Sequence, residues 1–245
     1  MSSSTKSSLD SKVVVVPGGT GNVGEGIVRA FLKAGATVIV PSRSRSRLAE
    51  LVKLIGPELA GQLKTVAAGY ATFDEADQLA TKLVTDFGHI DHVVASVGGW
   101  WAGKALWQTT DDDWQKVFVD VATSHMALAR SFVPRLSEDG SYTTIAGFSS
   151  QKPYPAAGIV SMQGAAQLMM RQALSAELGG QRRVNDLILG PIINRSRPGG
   201  DPDWLTSDQV GEAAVGVART PSITDEHVVL DNVDDLKKAL ARMAA

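Results

Sequence analysis

Short apolar runs alternate with stretches of helical pattern along the whole chain. The runs are rich in Val, Ile and Leu, as at 12–16, 36–40 and 183–189, and each is followed by a stretch with helical periodicity. Strands with so few polar residues are buried on both faces, which is typical of parallel sheets covered by helices on both sides. No repeat and no linker divides the chain into two cores. The 245 residues therefore predict one doubly wound α/β domain of about seven parallel strands.

The pattern also predicts where each element lies. The predicted strands are 12–16, 36–40, 63–67, 92–95, 141–146, 183–189 and 227–230. The predicted helices are 23–34, 47–55, 74–87 with Asp74 as N-cap, 110–136, 156–178, 208–218 and 233–243. An aromatic, glycine-containing loop at 97–108 and a Pro/Gly-rich loop at 195–202 separate some of these elements.

Composition excludes several classes of function. The formal net charge of −2 lacks the basic surplus of nucleic-acid binders, and the absence of cysteine excludes disulfides, thiolate metal sites and cysteine nucleophiles. No pair of histidines has ligand spacing, so we predict no metal. The apolar runs are too short for a bilayer helix, which predicts a cytoplasmic protein without membrane contact. Residues 1–10 are serine-rich and predict a disordered tail, with the domain at 11–245.

A glycine-rich turn follows the first predicted strand and opens the first predicted helix. It contains the spacing Gly19-x-Gly21-x-x-Gly24. Glycines let the backbone approach a pyrophosphate, and the helix N-terminus supplies free N–H groups with a partial positive charge. A tight turn without a ligand is the alternative, but the strand–turn–helix context favours a dinucleotide site. The cofactor-binding residues predicted here are Gly18, Thr20, Gly21, Asn22, Val23 and Gly24.

The end of the second predicted strand favours NADP(H) over NAD(H). An NAD site usually has an acidic residue about 20 residues after the glycines, where it holds the ribose 2′-hydroxyl. Here Ser42 takes that place and Arg43 follows it. A guanidinium pairs with a 2′-phosphate, whereas a carboxylate would repel it. A solvated basic surface is the alternative interpretation of the same arginines.

Further segments extend the pattern over most of the chain. They are Phe87-Gly88-His89-Ile90-Asp91-His92-Val93-Val94, Ala95-Ser96-Val97-Gly98, Trp114-Gln115-Lys116-Val117, Val184-Asn185 and Leu189-Gly190-Pro191-Ile192-Ile193-Asn194. With the glycine-rich turn, they resemble the short-chain dehydrogenase/reductase (SDR) family from about Lys12 to Leu230. The resemblance implies a Rossmann-type fold and NADP(H) binding. It adds Ala95, Val97, Gly190, Ile192 and Asn194 to the cofactor-binding residues, with Ile192 and Asn194 facing the nicotinamide carboxamide.

The family's Asn, Ser, Tyr and Lys are missing from the aligned positions. Those positions hold Val121, Gly147, Val160 and Gly164. In the family, Tyr is the general acid/base, Lys lowers its pKa and Ser orients the carbonyl. A shifted alignment does not restore the pair, because none of the three tyrosines has a lysine four residues later.

Three residues near the expected site offer replacements. Tyr154 is a candidate proton donor and Ser149 a candidate hydrogen-bond donor to a carbonyl, both in the loop after the fifth predicted strand. His125, one helical turn after Val121, is a candidate proton shuttle, with burial in the helix packing as the alternative. Trp100, Trp101 and Trp107 predict a pocket for an apolar or aromatic substrate, with loop packing or a subunit contact as the alternative.

These observations support an atypical NADP(H)-dependent reductase of SDR type. Its substrate is predicted to be an apolar or aromatic small molecule with an activated carbonyl, quinone-like or iminium group. The alternatives are a catalytically silent nucleotide-binding or scaffold protein, and a non-redox lyase or isomerase. The helix at 156–178 is rich in Ala, Gly and Met, and by resemblance it forms a contact in a homodimer or homotetramer.

Overall fold

The fold was examined in a computed structural model that describes residues 9–244. Seven parallel strands form the central sheet in the order β3-β2-β1-β4-β5-β6-β9, and a separate pair, β7 and β8, is also parallel. The strands are β1 Val13–Val15, β2 Thr37–Pro41, β3 Leu63–Val66, β4 Ile90–Ala95, β5 Leu136–Gly147, β6 Arg183–Leu189, β7 Ile192–Ile193, β8 Leu205–Thr206 and β9 His227–Leu230. The predicted α/β class and doubly wound architecture are confirmed.

Helices cover both faces of the sheet. They are α1 Gly24–Lys33, α2 Arg45–Ile55, α3 Phe73–Phe87, α4 Asp111–Trp114, α5 Asp120–Phe132, α6 Gly158–Leu178, α7 Ser207–Arg219 and α8 Val233–Ala244. A π-helical turn, Gln115–Val119, joins α4 to α5. Along β1 the valines alternate between two apolar cores: Val14 packs into the core that holds α1 and α7, and Val15 packs into the core that holds α3 and α5. This two-sided burial explains the continuous apolar runs.

Two predicted helix boundaries were wrong. The helix predicted at 110–136 is interrupted by the π turn, and its α-helical part ends at Phe132. Pro134 has no N–H, and its ring crowds the carbonyl four residues earlier, so the chain continues as a 3-10 turn at Val133–Arg135. The N-cap of α3 is Thr72 rather than Asp74, because the Thr72 hydroxyl accepts a hydrogen bond from the Glu75 N–H at 3.2 Å.

The predicted N-terminal tail falls mostly outside the described residues, which begin at Leu9. Leu9 itself is only 2 % exposed and packs into the apolar core beside α1. Core packing among the described residues therefore includes Leu9, which the prediction had assigned to the tail.

The strand order creates a topological switch point at the carboxyl ends of β1 and β4. β1 pairs with β2 on one side and with β4 on the other. The connections from β1 and β4 leave toward opposite faces, which opens a crevice at the carboxyl ends of these strands. Ligands of doubly wound sheets bind in such crevices.

Candidate active site

The glycine-rich turn after β1 is packed too tightly for side chains. Gly18 has φ +80°, and a Cβ there would lie 2.0 Å from the Ser96 carbonyl oxygen at the end of β4. A Cβ on Gly24 would lie 2.2 Å from the Gly18 carbonyl oxygen. Glycine is therefore required at both positions. The tight turn directs the N-terminus of α1, with its free N–H groups, toward the crevice.

A cavity of about 530 Å³ lies in this crevice. Six of the predicted cofactor-binding residues line it: Gly18, Thr20, Gly21, Ser42, Arg43 and Val97. Residues that the sequence analysis did not select complete the lining: Ser44, Arg47, Tyr70, Ala71, Ser96, Gly98 and Ser124. The volume, the glycine cradle and the guanidinium groups beside the end of β2 fit a phosphorylated nucleotide.

The remaining predicted cofactor-binding residues do not line the cavity. Asn22 joins the turn to the loop after β7, since its Oδ1 accepts from the Ser196 hydroxyl at 2.9 Å. Asn194 Oδ1 accepts from the backbone N–H groups of Ser196 and Arg197, which commits that oxygen to its own loop. The others are Val23 before α1, Gly24 at its start, Ala95 at the end of β4, and Gly190 and Ile192 after β6.

An arginine beside the turn forms ion pairs with two carboxylates. Arg195 contacts Glu25 in the first turn of α1 at 3.2 Å and Glu50 of α2 at 2.9 Å. Glu25 is buried, and without Arg195 its charge would oppose a phosphate at the helix N-terminus. The loop after β7 therefore contributes to the electrostatics of the nucleotide site.

The four positions that the resemblance aligns with the family's catalytic residues hold apolar side chains or none. Val121 reaches the end of β4, where its Cγ1 lies 3.3 Å from the place that a Cβ on Gly98 would occupy. Gly164 is buried in α6, and a Cβ there would lie 2.8 Å from the Ser150 Cβ. The space that a lysine side chain would enter is thus filled by the turn Phe148–Ser150. None of these four positions has a side chain that could relay a proton.

Ser149 is the best placed of the predicted replacement residues. It is buried, and its Oγ lies 3.5 Å from the place of a Cβ on Gly147, the position of the family's serine. A hydroxyl is therefore present near the expected place although the residue number differs. Val160, at the family's tyrosine position, is partly buried in α6 and offers no proton.

His125 is enclosed by the fold. It is 1 % exposed, and its Nε2 lies 3.1 Å from the Val97 carbonyl oxygen. Desolvation by burial lowers the pKa of His125 to about 4, so the ring is neutral at pH 7. Its Nδ1 has no hydrogen-bond partner among the described residues. This geometry favours the packing interpretation over a proton shuttle.

Tyr154 and the aromatic loop meet at the surface. The Tyr154 ring packs edge-on against Trp100 with 6.0 Å between centroids, and the Gly103 N–H donates to the Ala156 carbonyl oxygen at 2.9 Å. Trp100 is 67 % exposed and Trp101 is partly buried. The loop after β4 is therefore fastened to the loop before α6.

The prediction that all three tryptophans line a substrate pocket needs correction. Trp107 is 88 % exposed on a short 3-10 turn and points to solvent. Leu106, next to it, packs toward α6 instead, where a Cβ on Gly158 would lie 2.9 Å from the Leu106 Cδ1. Trp100 and Trp101 do not line the nucleotide cavity, and their place in a substrate pocket stays a prediction.

Tyr70 is the functional residue that the sequence analysis missed. It follows β3, lines the cavity and faces the Gly18 N–H. Burial raises the pKa of Tyr70, while the Gly18 N–H and the charges of Arg43 and Arg47 act in the opposite direction. Sequence reasoning tested this tyrosine only for a lysine four residues later. Its position between β3 and α3 was the available signal, since the carboxyl end of β3 lies on the cavity's edge of the sheet.

Comparison with known proteins identifies the family. A family model described as enoyl-(acyl carrier protein) reductase matches residues 19–221. An uncharacterized oxidoreductase of Mycobacterium tuberculosis is 33 % identical over 191 residues, which cover 76 % of this chain and 71 % of that protein. The chain belongs to the SDR family of oxidoreductases. The oxidoreductase YvrD of Bacillus subtilis, also uncharacterized, is 28 % identical and covers 75 % of the chain and 69 % of its own length.

Solved SDR structures share the fold. An SDR of Serratia marcescens aligns with a TM-score of 0.81 at 19 % identity, covering 91 % of this chain and 98 % of that one. A short chain dehydrogenase of Burkholderia cenocepacia, solved in complex with NADP, aligns with a TM-score of 0.80 at 21 % identity, covering 91 % and 97 %. Within residues 9–244, no helix is long and apolar enough to span a membrane.

Proposed function

We propose that this SDR is an NADP(H)-dependent reductase that works without the family's Tyr–Lys proton relay. The proposal rests on a contrast between the two sides of one crevice, the nucleotide side and the side next to Gly164. The nucleotide side has its glycine cradle and the arginines Arg43 and Arg47, whereas Ser150 fills the place of the lysine at Gly164. A related fold has been solved with NADP bound, which supports the choice of cofactor.

The missing relay restricts the substrate class. A bound NADPH supplies a hydride, and an ordinary ketone must also gain a proton at oxygen. An iminium carbon that accepts a hydride becomes a neutral amine and needs no proton, and a quinone-like ring takes its proton from water. General acid catalysis contributes about 10²–10⁴-fold, which such electrophiles do not require. The exposed aromatic pair of Trp100 and Tyr154 favours flat apolar or cationic molecules.

Nucleotide titration tests the cofactor. We expect NADPH to bind more tightly than NADH, because only NADPH offers a 2′-phosphate to Arg43. The Arg43→Ala variant removes a charge-assisted contact of about 1.5–3 kcal/mol, so NADPH affinity falls about 10-fold or more while NADH affinity changes little. Arg45→Ala is the matched control, since Arg45 is exposed and does not line the cavity. Absence of binding to both cofactors would refute the proposal.

The second candidate function is nucleotide binding without catalysis. The apolar Val121 and the filled space beside Gly164 favour it. A panel of iminium ions, quinones and polycyclic ketones separates the two, because a binding-only protein consumes NADPH with none of them. Where turnover is found, Tyr154→Phe locates the proton: a marked drop in rate assigns it to Tyr154, and an unchanged rate assigns it to water or substrate.

We further propose that the chain forms a homodimer or homotetramer through α5 and α6. Met126 on α5 is 39 % exposed, and Met162 and Met169 on α6 are 42 % and 61 % exposed. Large exposed apolar side chains on adjacent helices are typical of subunit contacts. Light scattering of the purified protein gives the oligomeric mass, and Met169→Lys is expected to lower it.

A further inference from the structure

Tyr70 occupies an unusual place among the residues that line the nucleotide cavity. It is the only aromatic side chain among the described lining residues, and its ring packs against the apolar core beside β2. Its hydroxyl faces the Gly18 N–H, and the charges of Arg43 and Arg47 act on it. One residue thus joins the end of β3, the glycine-rich turn and the arginines after β2.

Three groups that act on the Tyr70 hydroxyl are hydrogen-bond donors. The Gly18 N–H and both guanidinium groups are donors that cannot accept a hydrogen bond. The phenol oxygen faces the Gly18 N–H, which leaves its own O–H to donate to a ligand in the cavity. An anionic oxygen placed between the arginines and the phenol would accept from all of them.

We propose that Tyr70 is a specificity-determining residue for the cofactor: its ring forms the wall for adenine, and its hydroxyl joins Arg43 and Arg47 in binding the 2′-phosphate. This inference rests on the proposed nucleotide function and extends it. The ring offers an aromatic face where the other lining side chains are small, polar or charged. The hydroxyl adds to the arginines a neutral donor whose removal leaves the charge of the site unchanged.

A simpler role for Tyr70 makes a different prediction. If the phenol only braced the turn through Gly18, its loss would weaken every nucleotide to the same extent. A pair of adenine nucleotides, one with a 2′-phosphate and one without it, separates the two roles. Adenosine 2′,5′-bisphosphate and ADP make a suitable pair, because both carry adenine and a 5′-phosphate group and neither requires catalysis.

The experiment is calorimetric titration of the wild-type chain, Tyr70→Phe and Tyr70→Ala with both probes. Tyr70→Phe removes one hydroxyl, and we expect it to weaken adenosine 2′,5′-bisphosphate about tenfold and ADP less than twofold. Tyr70→Ala also removes the ring, so both probes weaken. Tyr142→Phe is the matched control, because it removes a hydroxyl that lies outside the cavity and has no hydrogen-bond partner among the described residues, so neither affinity changes.

The outcomes distinguish this inference from the proposed function. Equal weakening of both probes by Tyr70→Phe, or none, overturns the role of the hydroxyl while nucleotide binding stands. Failure of the wild-type chain to bind either probe overturns the proposed function and the inference with it.

A second measurement covers the case in which the variants unfold. The chain has three tyrosines, so 3-fluorotyrosine labelling gives a ¹⁹F spectrum with few resonances. Tyr154→Phe assigns one resonance, and Tyr142, fully buried in the core, keeps a signal that nucleotides leave unchanged. We expect adenosine 2′,5′-bisphosphate to shift the Tyr70 resonance more than ADP does. An identical shift with both probes contradicts the inference.

Discussion

Restoring the family's lysine is expected to destabilise this protein. A Cβ at position 164 would lie 2.8 Å from the Ser150 Cβ and 3.2 Å from the Ser150 Cα, so Gly164→Lys forces the turn Phe148–Ser150 away from α6. Overpacking of this kind costs about 1–3 kcal/mol, and removing a glycine from a helix returns about 0.5–1 kcal/mol. Burying the amine adds about 1–3 kcal/mol. The net expected loss is about 1–5 kcal/mol.

Thermal and urea denaturation, followed by circular dichroism, measure this loss. For a chain of this length, about 1 kcal/mol corresponds to a Tm shift of about 2–4 °C. Gly147→Ser is the matched control at the family's serine position. Its Cβ meets nothing closer than the Ser149 Oγ at 3.5 Å, so we expect a change within about 0.5 kcal/mol. A Gly164→Lys variant as stable as the wild type would show that Ser150 yields freely, and the argument for a filled catalytic position would fail.

Three further predictions follow from buried contacts. Burial lowers the pKa of His125 from 6.5 to about 4, so between these pH values the unfolded chain binds a proton that the folded chain does not. The free energy of unfolding should therefore fall by about 3 kcal/mol as the pH drops from about 6.5 to about 4. In His125→Leu the free energy of unfolding should depend less steeply on pH. Arg195→Ala exposes phosphate to the charge of Glu25 and should weaken NADPH about fivefold by calorimetry, with Glu25→Gln in the same chain restoring the affinity. A Cβ on Gly26 would lie 2.1 Å from the Ser207 carbonyl oxygen, so Gly26→Ala should lower the free energy of urea unfolding by about 1–3 kcal/mol; an unchanged midpoint would contradict the close packing of α1 on α7.

The parts of the structure that local pattern determines were predictable from the sequence. Strands buried on both faces leave continuous apolar runs, and the runs at 12–16 and 36–40 coincide with β1 and β2 to within a residue. The glycine-rich turn was also predictable from the sequence, because its chemistry depends on the backbone conformation of a few consecutive residues. The start of β5 was not, since Glu138 and Asp139 look like a loop, although they lie in a strand that pairs with β4 across a register shift.

The parts that depend on tertiary contact were not predictable. Tyr70 meets Gly18 only because β3 and β1 end at the same edge of the sheet, and no spacing along the chain records that proximity. Likewise, the family resemblance aligns Gly164 with a lysine, but only the structure shows that Ser150 occupies the space beside it. If a catalytic side chain is only missing, one substitution can restore it. If other atoms occupy its space, as Ser150 does beside Gly164, one substitution is not enough.

This difference bears on what the crevice can do. The nucleotide side depends on backbone groups and on arginines that are fixed by strand ends, so it requires little from the residues that follow β5. The catalytic side depends on side chains from α5, α6 and the turn after β5, and there Val121 and the Ser150–Gly164 contact replace polar groups with packing. A polar relay cannot be inserted into packed space without moving the backbone, so more than one substitution is needed to recover it. Under the proposed function, a substrate of this SDR therefore brings its own reactivity to the hydride; under the alternative, the nucleotide serves a purpose other than reduction.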